Sequence, residues 1–308
     1  MESLSTQSML KLLQITSPSL PVGAFSYSQG LEWAVEVGWV HDRRTFEIWV
    51  SEQLHGTQTC QELPLLQRFY TAFSAGDLER IQFLTATVLS LRETSELRAE
   101  ERNRGYAMSR LTERLRAVAS EKQTYPADVQ PDTTNGAGTC SVQCSVHDSV
   151  HDSVHGSVEC AAKCMIQESG QSVDQDVDHS RVADASCCGA GTTGGSLTPG
   201  LAGSVGGREE LCQLGVFAEF CARECIPVGK AMLGYAFTWL ESQVMAGVKL
   251  VPLGQTDGQL ILYRLSESIA PCVQAAMMIE DDDIGYSSPA LALASCLHET
   301  QYSRLFRS

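Results

Sequence analysis

The chain has 308 residues, with 22 lysines and arginines against 37 aspartates and glutamates, and its formal net charge is −15. This acidic balance argues against nucleic acid or an anionic membrane surface as a partner, because both attract proteins through phosphate charge. The sequence contains no run that approaches the roughly 20 apolar residues that cross a bilayer, and it begins without the basic and apolar stretches of a signal peptide. We therefore expect a cytoplasmic protein whose 12 cysteines are thiols.

The apolar pattern on both sides of the middle of the chain predicts helices. Apolar residues recur at spacings of three and four over residues 78–115, as on the buried face of an amphipathic helix. Gly76 and Asp77 precede this stretch and are typical of a helix stop followed by an N-cap. Ser288 and Pro289 have the same position before the last apolar run. Strand signals are thin, so the predicted fold class is all-α.

Residues 126–209 differ in composition from the rest of the chain. This stretch contains no Phe, Trp or Tyr, holds 12 of the 25 glycines, and has 3 basic residues against 11 acidic ones. Such a composition cannot bury enough apolar surface to offset the entropy that is lost on ordering. The sequence therefore predicts a single helical domain, residues 1–125 and 210–308, that is interrupted by a long disordered, low-complexity insertion.

The insertion contains a tetrad repeat, CSVQ-CSVH-DSVH-DSVH-GSVE, that begins at Cys140. The repeat places His147, His151 and His155 close together, and thiolate and imidazole groups suit Zn²⁺ or Ni²⁺. Duplication of a tetrad would place the same residues in phase without any chemical role, and Ser, Val, Asp and Gly are poor helix formers. The composition favours a neutral repeat, with metal binding as the alternative.

Signatures of catalysis are incomplete in this sequence. Residues 229–231 (GKA) are similar to the end of a phosphate-binding loop, but Ala231 stands where Ser or Thr must hold Mg²⁺. Residues 26–30 nearly match the nucleophile elbow G-x-S-x-G, but Ser26 replaces its first glycine. A hydrolase that uses Ser26 or Ser28 is therefore a weak alternative, since no His or Asp stands nearby in a recognised pattern.

The histidines and cysteines outside the insertion are predicted to pack in the core or to face solvent. His41, His55 and His298 form no HExxH pattern. Cys221 and Cys225 are four apart on a predicted helix, so their thiols could face each other. Because cysteine is also a small apolar residue that is often buried, we expect core packing at these two positions.

Three segments are not explained by packing alone. In residues 17–32, a turn with proline and glycine precedes small hydroxyl residues that can cap the next helix. In residues 92–105, charged side chains stack along one helix face, which is either solvated or used for docking. Gly105 lies in the middle of this helix and suggests that another backbone approaches closely. Residues 298–308 combine aromatic side chains with arginines, the residue types that anchor protein interfaces.

Four motifs in these regions resemble the UreF family of urease accessory proteins. They are SPSLPVGAFSYSQGLEWAVEVGWV at 17–40, RETSELRAEERNRG at 92–105, WLESQVMAGVKLVPLGQ at 239–255 and HETQYSRLFRS at 298–308. The resemblance implies an all-helical, non-enzymatic assembly factor that forms a homodimer. It also implies that the protein bridges UreD, called UreH in some organisms, and the GTPase UreG on apo-urease. Nickel and GTP would be handled by these partners, with no cofactor bound tightly by the chain itself.

The resemblance also suggests which residues meet the partners. The C-terminal motif is expected to dock into UreD through four residues: Tyr302, Arg304, Leu305 and Phe306. Glu32 and Lys249 are charged residues in two of the matched motifs, and we expect them to face UreG. Opposite charges at such a surface would steer the GTPase and gate its turnover.

The charged helix of residues 92–105 has a different expected role. Four of its residues are expected to organise the core or the dimer face: Arg92, Glu93, Glu96 and Gly105. A nickel metallochaperone, in which the histidines and cysteines of the insertion bind and hand over the ion, is the alternative function.

Overall fold

The computed structural model describes residues 4–122, 211–286 and 288–308, and no β-strand occurs in these ranges, which confirms the all-α prediction. The predictions for residues 126–209, including the tetrad repeat and its histidines, lie outside the described residues. Across the described ranges the α-helices are, in chain order, α1 (Thr6–Ile15), α2 (Leu31–Glu36), α3 (Arg43–Gln53), α4 (Leu63–Ala75), α5 (Leu78–Ser90), α6 (Ser95–Lys122), α7 (Gln213–Arg223), α8 (Val228–Leu250), α9 (Gln255–Ser266), α10 (Ile269–Ala276) and α11 (Pro289–His298).

Two helices begin at the capping residues that the sequence predicts. Gly76, with φ at 70°, ends α4. The next residue, Asp77, starts α5, and its side chain accepts a hydrogen bond from the backbone N–H of Arg80 at 2.9 Å. Ser288 caps α11 by accepting a hydrogen bond from the backbone N–H of Leu291. Each cap satisfies a backbone N–H that has no partner inside its own helix.

A π-helix of nine residues, Leu54–Glu62, joins α3 to α4 without a break. The backbone N–H of Gly285 donates to the carbonyl oxygen of Cys60 at 3.0 Å and holds a neighbouring loop against it. Gly56 lies close to Tyr286, the residue after Gly285, and an added Cβ at Gly56 would be 2.2 Å from a ring carbon of this tyrosine. π-Helical turns are rare and are often found at functional sites. This one directs glutamine and glutamate side chains toward the cavity described below.

The core is built around α8, which contacts α1, α2, α3, α4, α7, α9 and α10. Because α8 has neighbours on most of its faces, it is apolar nearly all round rather than along a single stripe. Gly247 permits a close approach of α3, since an added Cβ would lie 2.3 Å from the ring of Phe46. Among the helices that the structure describes, none has the length and apolar character to span a membrane.

Candidate partner-binding site

The C-terminal segment, residues 299–308, lies against the loop that precedes α2. The backbone N–H of Arg307 donates to the carbonyl oxygen of Ser26 at 2.8 Å. The backbone N–H groups of Ser28 and Gln29 donate to the carbonyl oxygen of Ser308 at 2.6 and 3.0 Å. The Ser28 hydroxyl donates to the same oxygen at 2.8 Å, so this side chain is engaged by the segment. Four hydrogen bonds thus join two parts of the chain that are far apart in sequence.

The carboxylate of Glu32, in the first turn of α2, holds the backbone of the C-terminal segment. Its Oε1 accepts from the backbone N–H of Leu305 at 2.5 Å, and its Oε2 accepts from that of Phe306 at 2.9 Å. Glu32 is only 7% exposed. Hydrogen bonds to an ionised group are among the stronger ones in proteins. The structure therefore places this carboxylate inside the chain, on its own C-terminal segment.

His298, the last residue of α11, lies between two carboxylates. Its Nε2 is 3.2 Å from Glu32 Oε2 and its Nδ1 is 2.8 Å from Glu96 Oε2, and the side chain is fully buried. The other oxygen of Glu96 accepts a hydrogen bond from the guanidinium of Arg304. We call these four residues the His298 cluster. His298 is buried, one of the two positions predicted for it, but the sequence did not indicate that it bridges two carboxylates.

Lys249, near the end of α8, is stacked against two aromatic rings. Its ammonium nitrogen lies 5.5 Å from the ring centroid of Phe306 and 6.0 Å from that of Phe25. Phe306 is buried, whereas Phe25 is 71% exposed. Both distances are within the range of a cation–π interaction. Residues that the sequence analysis assigned to different partners therefore lie in one site.

The outer face of the C-terminal segment carries exposed apolar side chains. Tyr302 is fully exposed and Leu305 is 67% exposed, whereas Phe306 is 5% exposed and belongs to the hydrophobic core. The side chain of Arg304 is partly exposed and is held by Glu96. The four residues expected to bind UreD thus divide into two that point outward and two that hold the segment.

A second group of charges, the Arg92 cluster, consists of Arg92 just before α6, Glu62 at the end of the π-helix and Glu101 on α6. Arg92 binds both carboxylate oxygens of Glu62, at 2.5 and 2.9 Å, and its Nη2 also donates to Glu101 at 2.8 Å. Glu101 in turn accepts from the backbone N–H of Leu214 at the start of α7. Burial alone would raise the pKa of Glu62, but the charge and hydrogen bonds of Arg92 outweigh it, so the pKa lies below its ordinary value.

The remaining residues expected to organise the core or dimer face lie on or just before α6. An added Cβ at Gly105 would lie 2.4 Å from the carbonyl oxygen of Leu211, which confirms the predicted close approach of another backbone. Glu93 is exposed and Glu96 belongs to the His298 cluster. Arg92, Glu96 and Gly105 therefore make contacts inside the chain, and the dimer face stays a prediction.

Gln29 and Glu100 connect the C-terminal segment to the centre of the fold. Gln29 has a left-handed backbone, with φ at 53°, and its Oε1 accepts from Trp239 Nε1 at 3.2 Å. Its Nε2 donates to Glu100 Oε1 at 3.1 Å, and the Ser308 hydroxyl donates to Glu100 Oε2 at 3.0 Å. Arg104 completes the group by donating to Glu100 at 2.8 Å. The segment is therefore linked to both α6 and α8.

A cavity of about 210 Å³ lies beside the Arg92 cluster and reaches Phe306 of the C-terminal segment. Its lining includes Phe25, Gln29, Glu62, Arg92, Trp239 and Phe306. The Oε1 atom of Gln58, from the π-helix, is buried without a hydrogen-bond partner. The cavity is thus polar at its inner end, where the Arg92 cluster lies, and aromatic near the C-terminal segment.

The cysteine predictions were right at one position and wrong at another. Cys221 is buried in α7, but Cys225 lies beyond the end of this helix, has φ at 51° and is exposed. The left-handed residue turns the chain away, so the two thiols do not share a helix face. Within residues 4–122, 211–286 and 288–308, no group of three or more histidines, cysteines or carboxylates is arranged to hold a metal ion.

Comparison with known proteins identifies the family. A family model described as UreF matches residues 40–266. The urease accessory protein UreF of Alcanivorax borkumensis is 35% identical over 307 residues, which cover 99% of this chain and 100% of that protein. Its counterpart from Pseudomonas entomophila is 36% identical over 300 residues, which cover 97% of both chains. That of Klebsiella pneumoniae strain 342 is 35% identical over 304 residues, which cover 99% of both.

These similarities place the chain among the urease accessory proteins. Within that class it belongs to the UreF family, as the four sequence motifs indicated.

Proposed function

We propose that this chain is a non-enzymatic urease accessory protein that acts in the cytoplasm during GTP-dependent insertion of nickel into urease. Its membership of the UreF family supports a role in urease maturation. In this proposal the chain, as a homodimer, bridges UreD (UreH) and the GTPase UreG on apo-urease and gates GTP hydrolysis by UreG. Nickel and GTP are bound by the partners, and the chain itself needs no cofactor, nucleic acid or membrane.

The contact between the C-terminal segment and Lys249 is the observation that carries this proposal. Phe306 lies against the ammonium group of Lys249, and Glu32 holds the backbone N–H groups of Leu305 and Phe306. A partner that binds the C-terminal segment therefore changes the surroundings of Lys249 directly. A bridging protein needs such a contact if binding of one partner is to alter the affinity for the other.

Two exposed side chains of the C-terminal segment, Tyr302 and Leu305, are proposed to contact UreD. Exposed aromatic and aliphatic side chains on a fixed backbone are suited to fill pockets on a partner. Arg304 and Phe306 are proposed to act indirectly, since Arg304 pairs with Glu96 and Phe306 packs in the core. Their role is to present the other two in one conformation.

Lys249 and its exposed neighbour Phe25 are proposed to form the surface that faces UreG. The ammonium group of Lys249 is exposed at the end of α8 and is held between two rings, which reduces the conformational freedom that binding must remove. Glu32 supports this surface from below, because it fixes the position of Phe306 under Lys249.

Copurification of the full chain with UreD and UreG, followed by urease activation at limiting nickel with GTP, tests the proposal. The double variant Tyr302→Ala/Leu305→Ala should weaken UreD binding by about tenfold or more, the usual cost of removing interface anchors. Lys249→Gln should lower the recovery of UreG while UreD is still bound. Both variants should activate apo-urease less than the wild-type chain.

Matched variants control for nonspecific effects. Lys230→Gln changes a lysine at the opposite end of α8 and should leave both partners bound. Deletion of residues 126–209 should leave urease activation intact. If the deletion variant no longer activates urease, the metallochaperone alternative is favoured. Undiminished recovery of UreD with the Tyr302→Ala/Leu305→Ala variant would contradict the proposed UreD contact.

A further inference from the structure

The position of His298 between two carboxylates favours a proton on each of its ring nitrogens. Nδ1 is 2.8 Å from a Glu96 oxygen and Nε2 is 3.2 Å from a Glu32 oxygen, and an ionised carboxylate only accepts hydrogen bonds. A neutral imidazole has one N–H, so one of its nitrogens would direct a lone pair at a carboxylate. Only the imidazolium form donates to both.

Charge balance around His298 leads to the same conclusion. The charged groups that face it are Glu32 from α2, Glu96 from α6 and Arg304 from the C-terminal segment. Glu299, the next residue, directs its carboxylate to the backbone N–H of Glu96 and to its neighbour at the start of α6. With an imidazolium the His298 cluster has no net charge, whereas a neutral ring leaves one buried negative charge without a counterpart, which is costly.

The C-terminal segment depends on this charge arrangement. Glu32 receives the backbone N–H groups of Leu305 and Phe306, and Glu96 receives Arg304. His298 lies between the carboxylates of Glu32 and Glu96. It therefore fixes the distance between the two groups that accept hydrogen bonds from the C-terminal segment. Arg307 and Ser308 have separate contacts, to the loop before α2 and to the carboxylate of Glu100.

We infer that His298 is a positioning residue whose imidazolium form fixes the C-terminal segment for partner binding, and that release of its proton loosens the segment. The consequence for partner binding rests on the proposed function, whereas the loosening is a property of the isolated chain. Docking of the segment is therefore strongest when both ring nitrogens donate to the carboxylates, and it weakens when one of the two protons is lost.

Amide hydrogen exchange on the full chain without partners tests the inference. The readout is the protection of the Leu305 and Phe306 amides, corrected for the intrinsic pH dependence of exchange. In the wild-type chain this protection should fall about ten- to hundredfold between about pH 5 and pH 8, the equivalent of one charge-assisted hydrogen bond. Protection that is flat across this range would overturn the inference.

Two variants separate a proton-dependent bridge from simple packing. His298→Gln has both of its N–H donors on one nitrogen and cannot reproduce donors at the two ring positions, so protection should be low and should not vary with pH. Glu96→Gln should stay protected at all pH values in this range, because a neutral ring can then donate to Glu32 and accept from the new amide. His41→Gln changes an exposed histidine before α3 and should keep the wild-type profile. If Glu96→Gln retains the wild-type pH dependence, the bridge is not its cause.

Measurement of UreD binding over the same pH range distinguishes the two proposals. If the protection of Leu305 and Phe306 depends on pH and UreD binding follows it, both are supported. If protection depends on pH but UreD does not bind under any condition, the proposed function fails and the role of His298 in the isolated chain stands. If UreD binds equally well at pH values where the Leu305 and Phe306 amides are protected and at pH values where they are not, His298 has no part in partner binding.

Discussion

The two charged clusters that meet at α6 use different side chains to join a pair of carboxylates. In the Arg92 cluster a guanidinium joins Glu62 to Glu101, and in the His298 cluster an imidazole joins Glu32 to Glu96. Arginine stays charged at every physiological pH, whereas histidine changes its charge within that range. The guanidinium of Arg92 joins parts of the core, and the imidazole of His298 lies between the two carboxylates that hold a segment that a partner is proposed to bind.

The clusters also differ in what each connects. The Arg92 cluster links the π-helix, α6 and the backbone at the start of α7, so it is part of the folding unit itself. The His298 cluster links α2, α6 and α11 to a short segment at the edge. Breaking the first should destabilise the whole domain. Breaking the second should release the segment while the helices stay folded.

Arg92→Ala should have the largest effect of the variants considered, because it leaves two buried carboxylates without their counter-charge. Removing one partner of a buried ion pair costs about 3–5 kcal/mol, and Glu62 and Glu101 are both almost fully buried. Urea denaturation of the wild-type and variant chains at neutral pH measures the difference in the free energy of unfolding. Arg44→Ala, at an exposed position on α3, should change it by less than about 0.5 kcal/mol.

The destabilisation caused by Arg92→Ala should depend on pH. The pKa of Glu62 is lowered in the folded chain, so its contribution to stability is present above its ordinary value of 4.5 and is lost as the pH falls through the lowered value. Without Arg92, burial raises the pKa of Glu62 instead. The difference in stability between wild type and Arg92→Ala should therefore shrink in acid. A difference that stays constant from neutral pH to acid would show that the loss is one of packing.

Gly105→Ala should have the next largest effect, because α6 and the backbone before α7 leave no room for a methyl group. An added Cβ would lie 2.4 Å from the carbonyl oxygen of Leu211, and the backbone must move to relieve the contact. Overpacking of this kind costs about 1–3 kcal/mol. Gly229→Ala, in the first turn of α8, meets nothing within 4 Å and should leave stability unchanged or raise it by up to about 1 kcal/mol. Equal effects in the two variants would contradict the close approach.

Local signals in the sequence predicted much of the fold. Asp77 and Ser288 mark helix starts because a side-chain cap depends only on residues a few positions away. Gly105 indicated a close contact because glycine in mid-helix is costly unless another backbone is near. The π-helix of Leu54–Glu62 was not predicted, since its widened turn depends on tertiary contacts such as that of Gly56 with Tyr286.

The candidate site could be predicted only in part, because its contacts join distant parts of the chain. The motifs indicated that Glu32, Lys249 and Phe306 are candidate site residues. They did not indicate that Glu32 accepts a hydrogen bond from the backbone N–H of Phe306, 274 positions away. His298 was missed because nothing near it in sequence signals its partners, which are 202 and 266 positions away. The one sequence feature that pointed to a role for His298 was its position: it ends a predicted helix and begins a motif that resembles the UreF family.

Phe306→Ala should have the smallest effect on global stability and should still release the C-terminal segment. Phe306 is the side chain of the segment that reaches the hydrophobic core, so its loss removes apolar burial and the contact with Lys249. Because the segment opens locally before the helices unfold, the free energy of global unfolding should fall by less than about 1 kcal/mol. Limited proteolysis should nevertheless cleave within residues 299–308 much faster than in the wild-type chain. Leu305→Ala, which trims an exposed side chain beside it, should be cleaved at the wild-type rate, and equal cleavage of the two variants would mean that Phe306 does not hold the segment.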